Sequence, residues 1–270
     1  MENEVKEKSI EKRPLDRKAL ADIVDLALRA GQLLIQNGAE SQRVEETVRL
    51  LGTGLGCDWG DVLVSHNALV VSHSSKGEFR TKIRRTSRDG VNMTTVTAVS
   101  HLVHRVEEGK YDRFKVREEL KRISSLPRHY NRWVTAVMVG LACAAFSRLF
   151  GGDWAVFGVT WLAAIGATLV RQELAQRSFN KYLVVIATAF AAGLFVGIAN
   201  LIHLSSHLEI ALAASVLMLV PGVPFINSVE DLIKGHIVVG LAQAVTGVLI
   251  ILAIALGLIL AMQVTGITGL

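Results

Sequence analysis

The run Ile237–Met262, IVVGLAQAVTGVLIILAIALGLILAM, contains no Asp, Glu, Lys or Arg. It exceeds the ~20 residues an α-helix needs to cross a hydrocarbon core of about 30 Å. Four more apolar runs precede it: Trp133–Phe150, Trp154–Val170, Tyr182–Ile202 and Ile210–Asn227. Backbone groups in lipid must be bonded within their own segment, so these runs are helices and not strands. Five spans are predicted. Residues 133–270 carry five basic and five acidic residues, so the formal charge of +5 belongs entirely to residues 1–132. The sequence thus divides into a disordered tail over 1–14, a solvated domain over 15–130 and a transmembrane domain over 131–270.

Loop charge sets the expected orientation. Arg128 and Arg132 precede the first span, and Arg171, Arg177 and Lys181 fill the link between the second and third. The links Gly151–Asp153 and His203–Glu209 hold no Lys or Arg. The positive-inside rule then places the N-terminal domain, the 171–181 loop and Lys234 in the cytoplasm, and an odd number of spans leaves the C-terminus outside. Trp133, Trp154 and Tyr182 stand at span ends, where amphipathic rings prefer the headgroup level. The segment Met1–Lys6 is charged and shows no secretory signal. Cys57 and Cys143 fall in different halves and are not expected to pair.

Within the solvated half, Leu20–Gly38 repeats apolar or small residues at helical spacing, and Asn37-Gly38 stops it. Ser41 is placed to cap a second helix bearing Val44, Val48, Leu51 and Leu55. Val62–Ser65, Ala68–Ser72 and Glu78–Arg85 are short and β-branched or alternating, which predicts an antiparallel meander. Helices return at Asn92–Glu108 and Asp112–Ser124, and Pro127 follows the last. The fold class is therefore a multi-span α-helical membrane protein with an N-terminal α+β domain.

Chemistry has few candidates here. His101, His104 and Glu107 share a helical face but lack further ligands to complete a metal site, so no metal or cofactor is expected. Arg80, Lys82, Arg84, Arg85 and Arg88 alternate along the third strand, either as a solvated face or as a surface for anions. Ser65-His66-Asn67 lacks a carboxylate partner, and no nucleophile elbow or phosphate loop occurs. Enzymatic chemistry and nucleic-acid binding have no support.

In the apolar half, Leu219–His236 stands out. Pro221 and Pro224, with Gly222 between, remove amide donors and must kink or unwind the fourth span. Such breaks in transporters form substrate sites, where half-helix N-termini face anionic groups. Pro221, Gly222, Pro224, Asn227, Ser228, Gln243 and Arg148 are the candidate substrate path. Glu230, Asp231, Lys234 and His236 are a candidate gate or proton-coupling group, against the plainer reading of an exposed Glu230–Lys234 helical pair. Arg84, Arg85, Arg171 and Arg177 are a candidate cytoplasmic anion funnel. Arg148 near its span end is equally read as snorkelling outward. Asn200 and Thr246 are ordinary interhelical polar residues on the plain reading, and His203 and His207 face an outer loop.

Asn37-Gly38-Ala39-Glu40-Ser41 with Arg43, Val44 and Glu45, the Ser65–Ala68 turn, the Arg88–Asn92 turn, the Arg171–Arg177 loop and Val220–Asn227 together resemble the ThrE-type threonine/serine exporter family. The likeness runs from about Leu15 to the C-terminus. Family members are either long single chains of about ten spans or split pairs. With five spans, this chain is similar to the larger subunit of the split type, which includes a bacterial inner-membrane succinate exporter. The resemblance implies export of a succinate-like dicarboxylate or of threonine/serine, a smaller all-membrane partner subunit and an inner-membrane location. Homo-oligomerisation is compatible with it. A membrane-anchored metabolite sensor without transport is the alternative.

Overall fold

A computed structural model of the chain describes residues 15–88, 90–125, 130–202, 204 and 207–266. The 1–14 segment, Asp89, Pro127, Arg128 and His203 lie outside the described residues. The chain packs as two compact units, Met1–Leu126 with Ile226–Gln243, and Pro127–Phe225 with Ala244–Leu270.

The first unit opens with helices α1 (Arg17–Gln36) and α2 (Ser41–Gly54), followed by strands β1 (Trp59–Val64), β2 (Ala68–Ser75) and β3 (Glu78–Arg85). Helices α3 (Met93–Glu107) and α4 (Arg113–Ser124) complete the ααβββαα order. The strands form one antiparallel sheet with β2 in the middle, Val62 opposite Val71 and Val70 opposite Ile83. Asn92 and Asp112 cap α3 and α4 by accepting from the amides of Thr95 and Lys115. Leu34, Val44, Leu51, Leu69, Val71, Val99 and Leu120 are fully buried in the shared core. Each such side chain contributes about 1.5–3 kcal/mol by leaving water.

Two details of this unit depart from the sequence expectation. Glu40, not Ser41, holds the N-cap position of α2, and Ser41 is its first helical residue. The cations of β3 are not a uniform solvated row. Lys82 pairs with Asp25 at 2.6 Å and Arg84 donates to Gln32 at 3.2 Å, both partners on α1, while Phe79 and Ile83 are exposed. On β2, His73 is fully buried between Gly52 and Gly60. A Cβ on either glycine would come within 2.1 Å of the imidazole ring, so both positions require glycine for this packing.

The second unit contains α5 (Arg132–Leu149), α6 (Trp154–Gln176), α7 (Lys181–Leu201) and α8 (Leu208–Ser215). A 3₁₀ turn (Leu217–Leu219) follows, then α9 (Gly222–Ile233) and α10 (Ile237–Thr265), whose residues are shared between the units. Asn131, Asp153 and Asn180 cap α5, α6 and α7. Small residues let the helices close on one another: a Cβ at Gly140 would lie 2.9 Å from the Trp161 carbonyl oxygen, and one at Gly257 would lie 2.5 Å from that of Ile186. Leu162, Leu183, Ile198 and Leu252 point outward and exposed, as a lipid-facing surface requires.

Among the described residues, four helices are long and apolar enough to cross a membrane. A fifth span is added when Leu208–Leu219 and Gly222–Ile233 count as one, with a bend of 59°. The bend has a clear cause. Pro221 immediately precedes α9 and Pro224 falls in its first turn, where a missing amide hydrogen breaks no helical bond. The protein is thus a multi-span α-helical chain with an N-terminal α+β domain. Cys57 and Cys143 are both free and buried.

Candidate functional site

In the N-terminal unit a group of buried polar side chains gathers around one carboxylate, that of Asp231 on α9. The chain leaves α1 through Asn37 and Gly38, whose φ of +89° is a left-handed conformation that glycine adopts without strain. Asn37 fastens this exit, its side-chain amide donating to the Leu33 carbonyl at 2.7 Å and its own carbonyl accepting from the Asn92 amide at 3.0 Å. The turn delivers Ser41 to the start of α2 with its amide and hydroxyl pointing the same way. Both donate to Asp231, N to Oδ1 and Oγ to Oδ2, each at 3.0 Å. Gln243 on α10 donates to the same Oδ2 at 2.6 Å. Ser41 and Asp231 are completely buried and Gln243 is nearly so.

Neighbouring bonds fix the two helices that carry these groups. Asn227 donates its side-chain amide to the Gly38 carbonyl at 2.9 Å, and Ser228 donates its hydroxyl to the Gly240 carbonyl at 2.8 Å. Gly240 allows that approach, since a Cβ there would lie 2.9 Å from the Ser228 carbonyl oxygen. From the loop after β3, Arg88 donates Nη1 to the Ala39 carbonyl at 3.0 Å. Burial lowers the Arg88 pKa, and the charge of Asp231 opposes that shift.

A rim of ion pairs surrounds the cluster. Lys234 reaches Glu230 at 2.6 Å and Glu40 at 3.2 Å, and His236 approaches Glu45 at 3.7 Å. Burial raises the Glu40 pKa; the neighbouring Glu230 adds to the rise and Lys234 opposes it. Burial also raises Glu45, against the pull of His236.

Asn227, Ser228, Asp231 and Gln243 therefore meet within one unit, with Glu230, Lys234 and His236 beside them. Pro221, Gly222 and Pro224 lie at the break itself. That break offers an anion less than its sequence implies: Pro224 has no amide hydrogen, and the Gly222 amide donates to the Val220 carbonyl at 2.9 Å. Arg148 belongs to neither group. It donates to the Gly152 carbonyl and stacks over the Trp154 ring with its guanidinium carbon 4.6 Å from the centroid. Of the four arginines read as a funnel, Arg84 bonds Gln32, Arg177 pairs with Glu173 at 3.0 Å, Arg171 donates to the Met218 carbonyl at 3.4 Å, and Arg85 is exposed at the end of β3.

Sequence reasoning placed Ser41 as a cap and Arg88 as a strand cation, and gave Glu40 and Glu45 no role. Their signal was the pair of motifs Asn37–Glu45 and Arg88–Asn92: Gly38, Glu40, Ser41 and Glu45 of the first bond or pair with Asn227, Lys234, Asp231 and His236, and Arg88 of the second bonds Ala39 of the first. His104 faces Glu107 and Glu108 at 3.9 and 3.4 Å, and no group of three or more metal-ligating side chains occurs among the described residues.

A family model described as "Putative threonine/serine exporter" matches residues 25–265. A protein from Escherichia coli K12 named "Probable succinate transporter subunit YjjP" is 39% identical over 92% of this chain and 96% of its own length. Its namesake in Klebsiella aerogenes is 38% identical over 94% and 98%. The "Threonine/serine exporter" of Corynebacterium glutamicum is 21% identical over 82% of this chain but only 46% of its own length. No solved structure matches. A multi-span helical fold, a family match over nearly the whole chain and two near-full-length relatives lead to one conclusion: this chain belongs to the ThrE family and is a membrane transporter, not an enzyme.

Proposed function

We propose that this chain is one subunit of a two-part secondary exporter that moves a small carboxylate out of a bacterial cell. The substrate is a succinate-like dicarboxylate or threonine/serine. The observation that carries this reading is the near-full-length likeness to two proteins named as probable succinate transporter subunits. A smaller all-membrane partner supplies the rest of the pathway, since the Corynebacterium exporter matches over less than half of its own length.

The N-terminal domain lies in the cytoplasm, following the excess of Lys and Arg in the loops on that side. Substrate reaches the polar cluster of Asn227, Ser228, Asp231 and Gln243, passes the break at Pro221–Pro224 and leaves on the outer side. The Glu40–Lys234–Glu230 and Glu45–His236 pairs act as the inner gate. With the membrane negative inside, expelling a succinate-like anion is favoured by about 2.3 kcal/mol per charge per 100 mV, so its export needs no obligatory proton coupling, whereas a zwitterionic amino acid gains nothing from the potential. A sensor that merely anchors its domain would have no use for α9 and α10 residues bonded into that domain, which favours the transporter reading.

The test is efflux. The chain is co-expressed with a candidate smaller all-membrane subunit, the pair is reconstituted in vesicles, and release of labelled succinate, threonine and serine is followed under an imposed potential. Release of one of them above empty vesicles is expected. Correctly inserted pairs that release none would overturn the proposal.

A further inference from the structure

We infer that the Nε/Nη2 edge of Arg88 is the site that takes a carboxylate group of the exported substrate. This rests on the exporter reading above and adds a residue and a geometry to it. Nη1 of Arg88 is committed to the Ala39 carbonyl at 3.0 Å. Nε and Nη2 are both buried and have no hydrogen-bond partner. These two nitrogens are not an arbitrary pair. They share one edge of the planar guanidinium, where their N–H bonds run parallel, and that edge is the one a carboxylate meets with both oxygens.

A buried cationic edge without acceptors is costly to maintain unless something accepts from it. The nearby carboxylate of Asp231 accepts from Ser41 and Gln243 and from neither of these two nitrogens. The surroundings already show the chemistry required. Within the same buried cluster, two donors from Ser41 and one from Gln243 hold a carboxylate, and the Gly38–Ser41 turn that presents Ser41 also holds Arg88 through Ala39. Arg88 is thus fixed by one nitrogen in a polar cluster and presents a two-donor edge. The ligand chemistry is a carboxylate, which a dicarboxylate and an α-amino acid share.

The experiment uses the full chain purified with its membrane partner. Succinate and, separately, threonine are titrated calorimetrically into the wild type, Arg88→Lys, Arg88→Gln and Lys82→Gln, and the same proteins are assayed for efflux. Lys82→Gln removes a cation that pairs with Asp25 and controls for loss of net charge. Arg88→Lys should weaken binding of whichever compound the wild type takes by about tenfold or more, because one point donor replaces a parallel pair. Arg88→Gln should weaken it further, and Lys82→Gln should behave as wild type.

The loss should appear in KM more than in maximal rate, and succinamide, which has no carboxylate, should not compete. Should Arg88→Gln fail to fold, Arg88→Lys carries the test, with its unliganded thermal midpoint as the folding control. Wild-type affinity retained in Arg88→Lys, with export intact, would overturn the assignment while leaving the exporter reading in place. A wild-type pair that neither binds nor exports either compound would overturn both.

Discussion

Ser41 and Asp231 are joined by two hydrogen bonds across 190 positions of sequence, both 3.0 Å long and both buried. The pair ties the first turn of α2 to α9, and nothing on the surface screens it. Asp231→Asn keeps the shape but sets an amide donor among three donors. A loss of about 3–5 kcal/mol is expected, the range for removing one member of a buried charged contact. Ser41→Ala removes one bond of two and should cost about 1.5–3 kcal/mol. Because the residues touch, the double variant should lose less than the two single losses together. Denaturation of the purified protein in detergent measures all three, and additive losses would mean the contact carries no coupling.

The rim predicts a pH dependence. Burial raises the pKa of both Glu40 and Glu45 above the ordinary value of 4.5. A carboxyl raised in the folded state binds its proton more tightly there than in the unfolded chain. Its contribution is therefore fully present below pH 4.5 and is lost as pH rises through the folded value. Glu45→Gln removes the titration and holds the neutral form. The variant should gain on the wild type at pH 7, and that gain should shrink as pH falls toward 4.5. Thermal midpoints at several pH values test this, and a constant difference between the two proteins would contradict it.

His73 and its two glycines give a prediction inside the α+β domain. Gly52→Ala would press a methyl group to within 2.1 Å of the imidazole, an overpacking that costs at least about 1–3 kcal/mol. Burial lowers the His73 pKa from 6.5. The unfolded chain then binds the proton more readily, so the stability from a neutral His73 is present above pH 6.5 and is lost as pH falls through the folded value. His73→Leu should abolish that acid-side loss. Pairing it with Gly52→Ala tests whether the ring is the obstacle, since an unchanged penalty in the double variant would point elsewhere.

Much of this fold was legible because it is local. The apolar period of Leu20–Gly38, the β-branched strands and the uncharged run Ile237–Met262 each announce their element without reference to the rest of the chain. What stayed hidden is long-range. Ser41 reads in sequence as a helix cap, and only its partner 190 residues away shows that its hydroxyl serves Asp231. Lys82 and Arg84 look like a solvated row until α1 supplies Asp25 and Gln32. Asn227 follows a proline break and reads as a ligand for substrate, yet its amide is bonded to Gly38. Polar residues in an apolar run reveal that they must be satisfied, but not by which part of the chain.

The break between α8 and α9 leads to the last prediction. Pro221 and Pro224 occupy positions where proline is compatible with the start of a helix, so each acts on stability mainly through the unfolded chain, by about 0.4–1 kcal/mol. Replacing either by Ala should therefore leave insertion and thermal midpoint nearly unchanged. The double variant is different. It removes both restraints that keep the 3₁₀ turn at Leu217–Leu219 from continuing into α9, and the 59° bend has no other proline to enforce it. If substrate crosses at this bend, Pro221→Ala/Pro224→Ala should lower export by about tenfold, equivalent to ~1.4 kcal/mol, while the protein still inserts. Vesicle efflux with a parallel insertion assay separates the two effects. Export at the wild-type rate in the inserted double variant would remove the break from the substrate path and leave the Asp231 cluster as the place to look for it.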